Sequence, residues 1–466
     1  MKFTSKYKTK IGIIVFAIIP ILALVQGCQK PDLLTESDVN EWYSGGNQTA
    51  FVTGSGAYSQ MFSGLSEQKT EIHEVGDLAF EAIFNSDETQ RNYGLGPLYN
   101  NVSCISCHVG DGRGKAPASG ENLSSLLIRI SIPGTDIHGG PNPVPNFGGQ
   151  LQQRAIFGAP HEADVNVSYT EQQFTFDDGE IYSLRKPNYT LVSSYMSLPS
   201  NLLISPRMAS PVFGLGLLEN IDDNDILKNV DENDANGDGI SGKVNMVWDA
   251  QKQHLALGKF GWKAGQPNII QQSAGAYNQD MGITSFIFPE ESTLGQIQNN
   301  FSKNKKEISD SLLFSVAYYI KTLAVPGRRK ADDAIVKQGK QLFLNANCNS
   351  CHVRYFQTKT DLYYPELSNQ KIFPYTDLLL HDMGDGLKDD RPDFKANGFE
   401  WRTSPLWGIG LSKIVNGHNN FLHDGRARNF TEAIMWHAGE AEKSKQKFAK
   451  MTKAERTALL KFLESL

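Results

Sequence analysis

Apolar residues fall at helical spacing in a few separated stretches of this chain, and the longest interval between those stretches has no such period. Ile335, Gly339, Leu342 and Phe343 share one face of a helix expected over residues 331–345. Thr452-Lys453-Ala454-Glu455 is a capping box, and Leu459, Leu463 and Leu466 repeat after it at helical spacing. A glycine on the packing face of the first helix would let these two helices cross closely. A looser copy of the plan lies earlier. Residues 77–84 form its first helix, and Leu312, Leu313, Val316, Ile320 and Leu323 mark a late one that Pro326-Gly327 stops. Between Arg129 and Phe301 the chain turns rich in Gly, Pro, Asn and Gln. There Asp177-Asp178-Gly179 sits between two short apolar-polar runs, a hairpin signal.

Each helical unit carries one Cys-x-x-Cys-His pentapeptide: Cys104 to His108 and Cys348 to His352. This spacing reads as covalent attachment of c-type haem, with two thiols for the vinyl groups and a histidine for the iron. A redox dithiol or half a zinc site explains the thiols but not the histidine that follows twice. The fold expected is mainly α, with two cytochrome c-like haem domains. They span 71–328 and 329–466, the first bearing a long irregular insert at about 129–301 with short β-hairpins.

The chain has 466 residues and five cysteines, so one cysteine is left over. Lys2, Lys6, Lys8 and Lys10 precede an apolar run from Ile11 to Val25, then Gly27-Cys28. That reads as a secretory signal of lipoprotein type over residues 1–27, with Cys28 expected as the acylated mature N-terminus; an uncleaved membrane anchor and a plain signal with an incidental cysteine are the alternatives. Residues 28–70 are read as a tether and N-terminal extension. The expected location is the periplasm or cell surface, held to a bacterial membrane by the lipid. Net charge is −6, and the short basic clusters at 303–306 and 328–330 read as solvated surface, so nucleic acid is not an expected partner.

Several stretches are similar to one family. They include Gly148-Gly149-Gln150-Leu151, Phe213 to Glu219, Lys259 to Ala264, Asp377 to Gly384, Glu400 to Gly408 and Phe421 to Ala427. From about residue 75 onward the chain resembles the bacterial di-haem oxidoreductases of peroxidase type, distantly similar to di-haem cytochrome c peroxidases. An internal echo supports duplication: Ser210-Pro211-Val212-Phe213-Gly214-Leu215-Gly216-Leu217 matches Ser404-Pro405-Leu406-Trp407-Gly408-Ile409-Gly410-Leu411.

Two haems suggest a division of labour, in which one collects electrons and the other spends them on hydrogen peroxide. Met383 is the expected sixth ligand of the second haem, with His381 as rival. No ligand stands out for the first among His138, His161, Met208 and Met281, so its iron is expected to be open. Glu219 is the acid/base candidate, with Gln150 and Arg207 as hydrogen-bond donors to peroxide. The electron donor expected is a small cytochrome or cupredoxin. Oxidation of an unknown protein or organic substrate, and passive electron carriage, are the competing functions. Asp234, Asn236, Asp238 and the Ile240 position fit the first half of a calcium loop, with Asn245 where a bidentate glutamate is usual.

Overall fold

The computed structural model describes residues 38–302 and 307–466. The signal segment, Cys28, the start of the tether and the 303–306 cluster lie outside the described residues.

The helices nearest the two motifs form two crossed pairs. Helix α1 (Glu67–Glu81) packs on α4 (Asp310–Lys321), and α5 (Ala334–Asn345) packs on α6 (Lys453–Ser465). Between them come α2 (Leu215–Glu219) and α3 (Ile269–Met281). Each pair closes over a glycine. A Cβ on Gly76 would collide with the Ser315 carbonyl of α4, and one on Gly339 with the Ala458 carbonyl of α6. The α6 capping box is formed on both sides, with Thr452 N donating to Glu455 at 2.8 Å. Helix α1 starts ten residues earlier than the apolar cluster suggests, because Ser66 caps it and its first turns are acidic and exposed.

The rest of the chain overturns the expectation of a mainly α protein with two cytochrome c-like domains. Helix makes up 28% of the chain and strand 20%, the strands lying in many small sheets. Residues 38–466 form one compact unit. Strand β1 (Leu126–Thr135) pairs with β2 (Gln150–Leu151) on one side and β5 (Leu203–Met208) on the other. Its alternation is clear: Leu126, Ile128 and Ile130 enter an apolar core, while Leu127 and Arg129 face a cavity. The hairpin signal is real but understated. Strands β3 (Asp164–Thr175) and β4 (Ile181–Val192) pair over twelve positions each.

That hairpin shows why two separate domains do not form. Its turn reaches α6, where Arg456 binds Asp178 and Glu180 at 2.7 Å and lies 4.0 Å from the Phe176 ring centre. Lower down, Arg185 donates to the carbonyls of Gly425 and Arg426. The N-terminal extension crosses the same boundary. Glu41 is fully buried among Arg328, Lys340 and Arg354, with the Tyr375 hydroxyl donating to it at 3.2 Å. A carboxylate this deep is tolerable only with such partners.

The sequence echo is a spatial pair. Gly214 (φ 70°) and Gly408 (φ 72°) each open a helical turn. A Cβ on Gly214 would meet Trp407 at 2.7 Å, and one on Gly408 would meet Phe213 at 2.5 Å. Each copy therefore seats the aromatic side chain of the other. Gly216 and Gly410 likewise abut backbone carbonyls near the ends of α4 and α6.

Candidate functional site

The two pentapeptides sit in matching frames. In the first, His108 N donates to the Cys104 carbonyl at 3.0 Å, and Ile105 N donates to Phe80 at the end of α1. In the second, His352 N donates to Cys348 at 3.0 Å, just after the left-handed turn at Asn347. Phe80 stands 6.1 Å from the His108 ring, tilted by 51°, and Phe343 stands 6.2 Å from His352, tilted by 55°.

Each histidine is oriented by a carbonyl. The Ser210 carbonyl accepts from His108 Nδ1 at 2.7 Å, and the Tyr375 carbonyl accepts from His352 Nδ1 at 3.0 Å. A carbonyl can only accept, so the proton is on Nδ1 and Nε2 keeps its lone pair. Burial lowers both histidine pKa values, His352 to about 4. It pushes the Cys104, Cys107 and Cys348 thiols up to about 12, so they stay protonated.

The cavities beside the motifs differ. The first has a volume of about 610 Å³ and the second about 200 Å³. Arg113, Trp262, Arg402, Ser404, Pro405 and Ile409 line both, so one layer of side chains separates them. Six cations face the first cavity (Arg113, Arg129, Arg207, Lys263, Arg391, Arg402) against three carboxylates (Asp136, Asp280, Asp393). This excess suits an anionic group. Together, paired thiols, a histidine with a bare Nε2 and surplus cations fit a haem with its two propionates.

The expected catalytic residues fare unequally. Arg207 is in the first wall, held by Ser205 Oγ at 2.6 Å and Asp393 at 3.5 Å. Gln150 stands behind the wall and donates to Asp280 Oδ1 at 2.7 Å and Asn100 Oδ1 at 2.6 Å. Glu219 does not line the cavity. Its Oε1 caps α3 by accepting from Ile269 N at 2.7 Å, and its Oε2 pairs with Lys321. Both oxygens are committed to holding helices. Of the three carboxyls that face the cavity, Asp280, at the end of α3, is the one whose pKa is raised. Burial raises its pKa, and Arg129 partly offsets this. Nothing in the sequence pattern marks it beyond the tripeptide Asp280-Met281-Gly282, which recurs as Asp382-Met383-Gly384.

Met383 lines the second cavity, and so does His437, which the sequence did not single out. His437 Nδ1 donates to the Ala433 carbonyl at 2.7 Å, leaving Nε2 bare. His381 is differently placed. Asp377 takes one ring nitrogen at 2.8 Å and Glu440 the other at 2.7 Å. Burial works against its charge, but Asp377 and Cys351 together outweigh that and lift its pKa well above the usual histidine value. His138 and Met208 line the first cavity with Met281, and His138 stacks on Trp248. His161 instead pairs with Asp164 at 3.3 Å.

In the acidic loop, Asp234, Asn236 and Asp238 accept from Gly239, Asp238 and Ile240 N–H groups. Asn245 is not brought to this loop. It is buried, donating to the Lys263 and Asp393 carbonyls and accepting from Lys395 N. Among the described residues, the three-residue cluster with ligand atoms near enough for one ion is Cys351, Asp377 and His381, beside the second motif. No helix among the described residues is long and apolar enough to cross a membrane.

The model of the family described as "di-haem oxidoreductase, putative peroxidase" matches residues 38–466, and the chain belongs to that family. It is an oxidoreductase with haem cofactors. No curated protein matches the sequence. A solved structure of hydrazine synthase from Kuenenia stuttgartiensis, pressurised with xenon, aligns at 17% identity and a TM-score of 0.24. The alignment covers 38% of this chain and 61% of that one.

Proposed function

We propose that Cys104 and Cys107 carry one haem and Cys348 and Cys351 a second, each through two thioether bonds, with His108 and His352 on the proximal side. The protein then reduces hydrogen peroxide at the first site, with electrons from a small donor protein, a cytochrome or cupredoxin, entering through the second. Haem attached in this way belongs outside the cytoplasm, which agrees with a secreted lipoprotein anchored at Cys28 in the periplasm or at the cell surface.

The supporting observation is the contrast between the cavities. The first is large, has a charged wall and holds one buried carboxyl with a raised pKa. The second is small and apolar, and it already holds the Met383 thioether and the bare Nε2 of His437, either of which would be available to hold the iron of a bound haem. Haem supplies the redox chemistry at both sites. The chain supplies proton handling. Peroxide must give up a proton from one oxygen and receive one on the departing oxygen. Asp280 is placed for that exchange, Gln150 fixes its carboxyl, and Arg129 and Arg207 present N–H groups to the same space.

The test is rapid mixing of peroxide with the half-reduced holoprotein. Wild type should react, and Asp280→Asn should react about 10²- to 10⁴-fold more slowly with unchanged haem content. Glu219→Gln should react like wild type. A wild-type protein inert to peroxide would sink the peroxidase reading and leave electron carriage or oxidation of another substrate.

A further inference from the structure

The segment Gly110-Asp111-Gly112-Arg113-Gly114 follows the first motif after one residue, Val109. Its arginine is only 6% exposed and faces both cavities. The backbone reaches that place because its neighbours lack side chains. A Cβ on Gly112 would collide with Asn416, and one on Gly114 would come within 2.8 Å of Met208 Sδ. Asn416, from the second half, grips the segment by accepting from Arg113 N at 3.1 Å and donating to Val109 O at 2.7 Å.

The guanidinium is anomalous. Among the described residues no carboxylate pairs with it, and its Nε is buried without a hydrogen-bond partner. Its near neighbours are the Phe421 ring, 5.3 Å from the guanidinium carbon, and Tyr58. Burial pulls its pKa down to about 10, which leaves it charged at neutral pH. A buried cation without a counter-ion is costly, by several kcal/mol in general. The protein offers no anion, so the anion must come from the cavities. A guanidinium presents five donors in a flat fork and can hold two carboxylates at once.

We infer that Arg113 is a shared carboxylate-binding residue that takes a propionate from each haem and so couples the two sites electrostatically. The inference rests on the haem placement proposed above, but not on peroxide chemistry. It predicts a joint effect, because a positive charge between two irons favours the reduced state of both.

The test is a spectroscopic redox titration of holoprotein, with haem content fixed first by the haemochrome spectrum of the denatured protein. Fewer than two attached haems in wild type would refute the placement itself, a failure visible before any variant is made. In Arg113→Met, the reduction equilibrium constant of both haems should fall at least about tenfold, or 59 mV for each one-electron couple. Arg113→Lys should recover most of the shift at both. If Arg113→Met cannot hold haem, the haem-to-protein ratio is the readout: loss at both motifs, recovered in Arg113→Lys, supports the shared role. A change at one haem alone, no change at either, or an Arg113→Lys protein indistinguishable from Arg113→Met overturns it.

Discussion

The two motif sites share a frame and differ in the walls that face it. Each has a crossed helix pair closed over a glycine, a tilted phenylalanine beside the histidine, and a carbonyl that fixes Nδ1. The carbonyls already come from unlike segments, Ser210 in the repeated stretch and Tyr375 in an irregular one. Across its cavity, the first site meets a sheet and a wall of arginines, and the second meets Met383, His423 and His437. In the proposed function, holding the haem is thus the duplicated task. Deciding what the group does falls to segments without counterparts. The residue most strongly expected to do chemistry, Glu219, proves to be part of the frame, while Asp280 belongs to the differing wall.

The sharpest way to break this comparison is to empty one site at a time. Cys104→Ser with Cys107→Ser should leave one haem per chain and abolish the reaction with peroxide. Cys348→Ser with Cys351→Ser should also leave one haem, yet permit a single reaction without sustained turnover. Haem quantitation and rapid mixing check both, and identical behaviour of the two double variants would erase the assigned division.

A smaller effect tests the shared frame. Gly76→Ala and Gly339→Ala each force a methyl group against a helix carbonyl, and overpacking of this kind typically costs about 1–3 kcal/mol. Denaturant unfolding should show comparable losses for the two, with each variant disturbing the absorbance of its own haem first. A large loss for one and none for the other would mean that the frames are alike only in outline.

An effect seen only as a pH dependence concerns the unshared part. Glu291 lies in the stretch that only the first half possesses, and burial pushes its pKa up to about 7 from 4.5. The folded protein then keeps a proton that the unfolded chain releases. Its contribution is therefore greatest below about pH 4.5 and shrinks as pH rises toward 7, by an amount on the order of 3 kcal/mol. Glu291→Gln should flatten this decline in unfolding midpoints measured across that window. An unchanged slope would place the titration elsewhere.

Local rules read parts of the molecule well. The Thr452 capping box, the close crossing at Gly339, the hairpin at 177–179 and the Gly-rich repeat all appear where the sequence places them, since each depends on residues near one another in the chain. The same rules fail where an element's meaning depends on distant partners. Helix α1 reads short because its outer face is acidic, and the 129–301 stretch reads as an appendage of the first half. Its hairpin in fact clamps the 425–428 segment and α6 through Arg185, Arg428 and Arg456.

The family, the two motifs and the helices that carry them were legible from the residues alone, because two thiols and a histidine at fixed spacing need only a single turn to converge. The place of Asp280 in a charged wall, the bare nitrogen of His437 and the position of Arg113 between the two sites are visible only in the folded chain. Those facts come from contacts across hundreds of residues, such as Asn416 on Arg113 and Lys321 on Glu219, and from burial, which resets the cost of every charge.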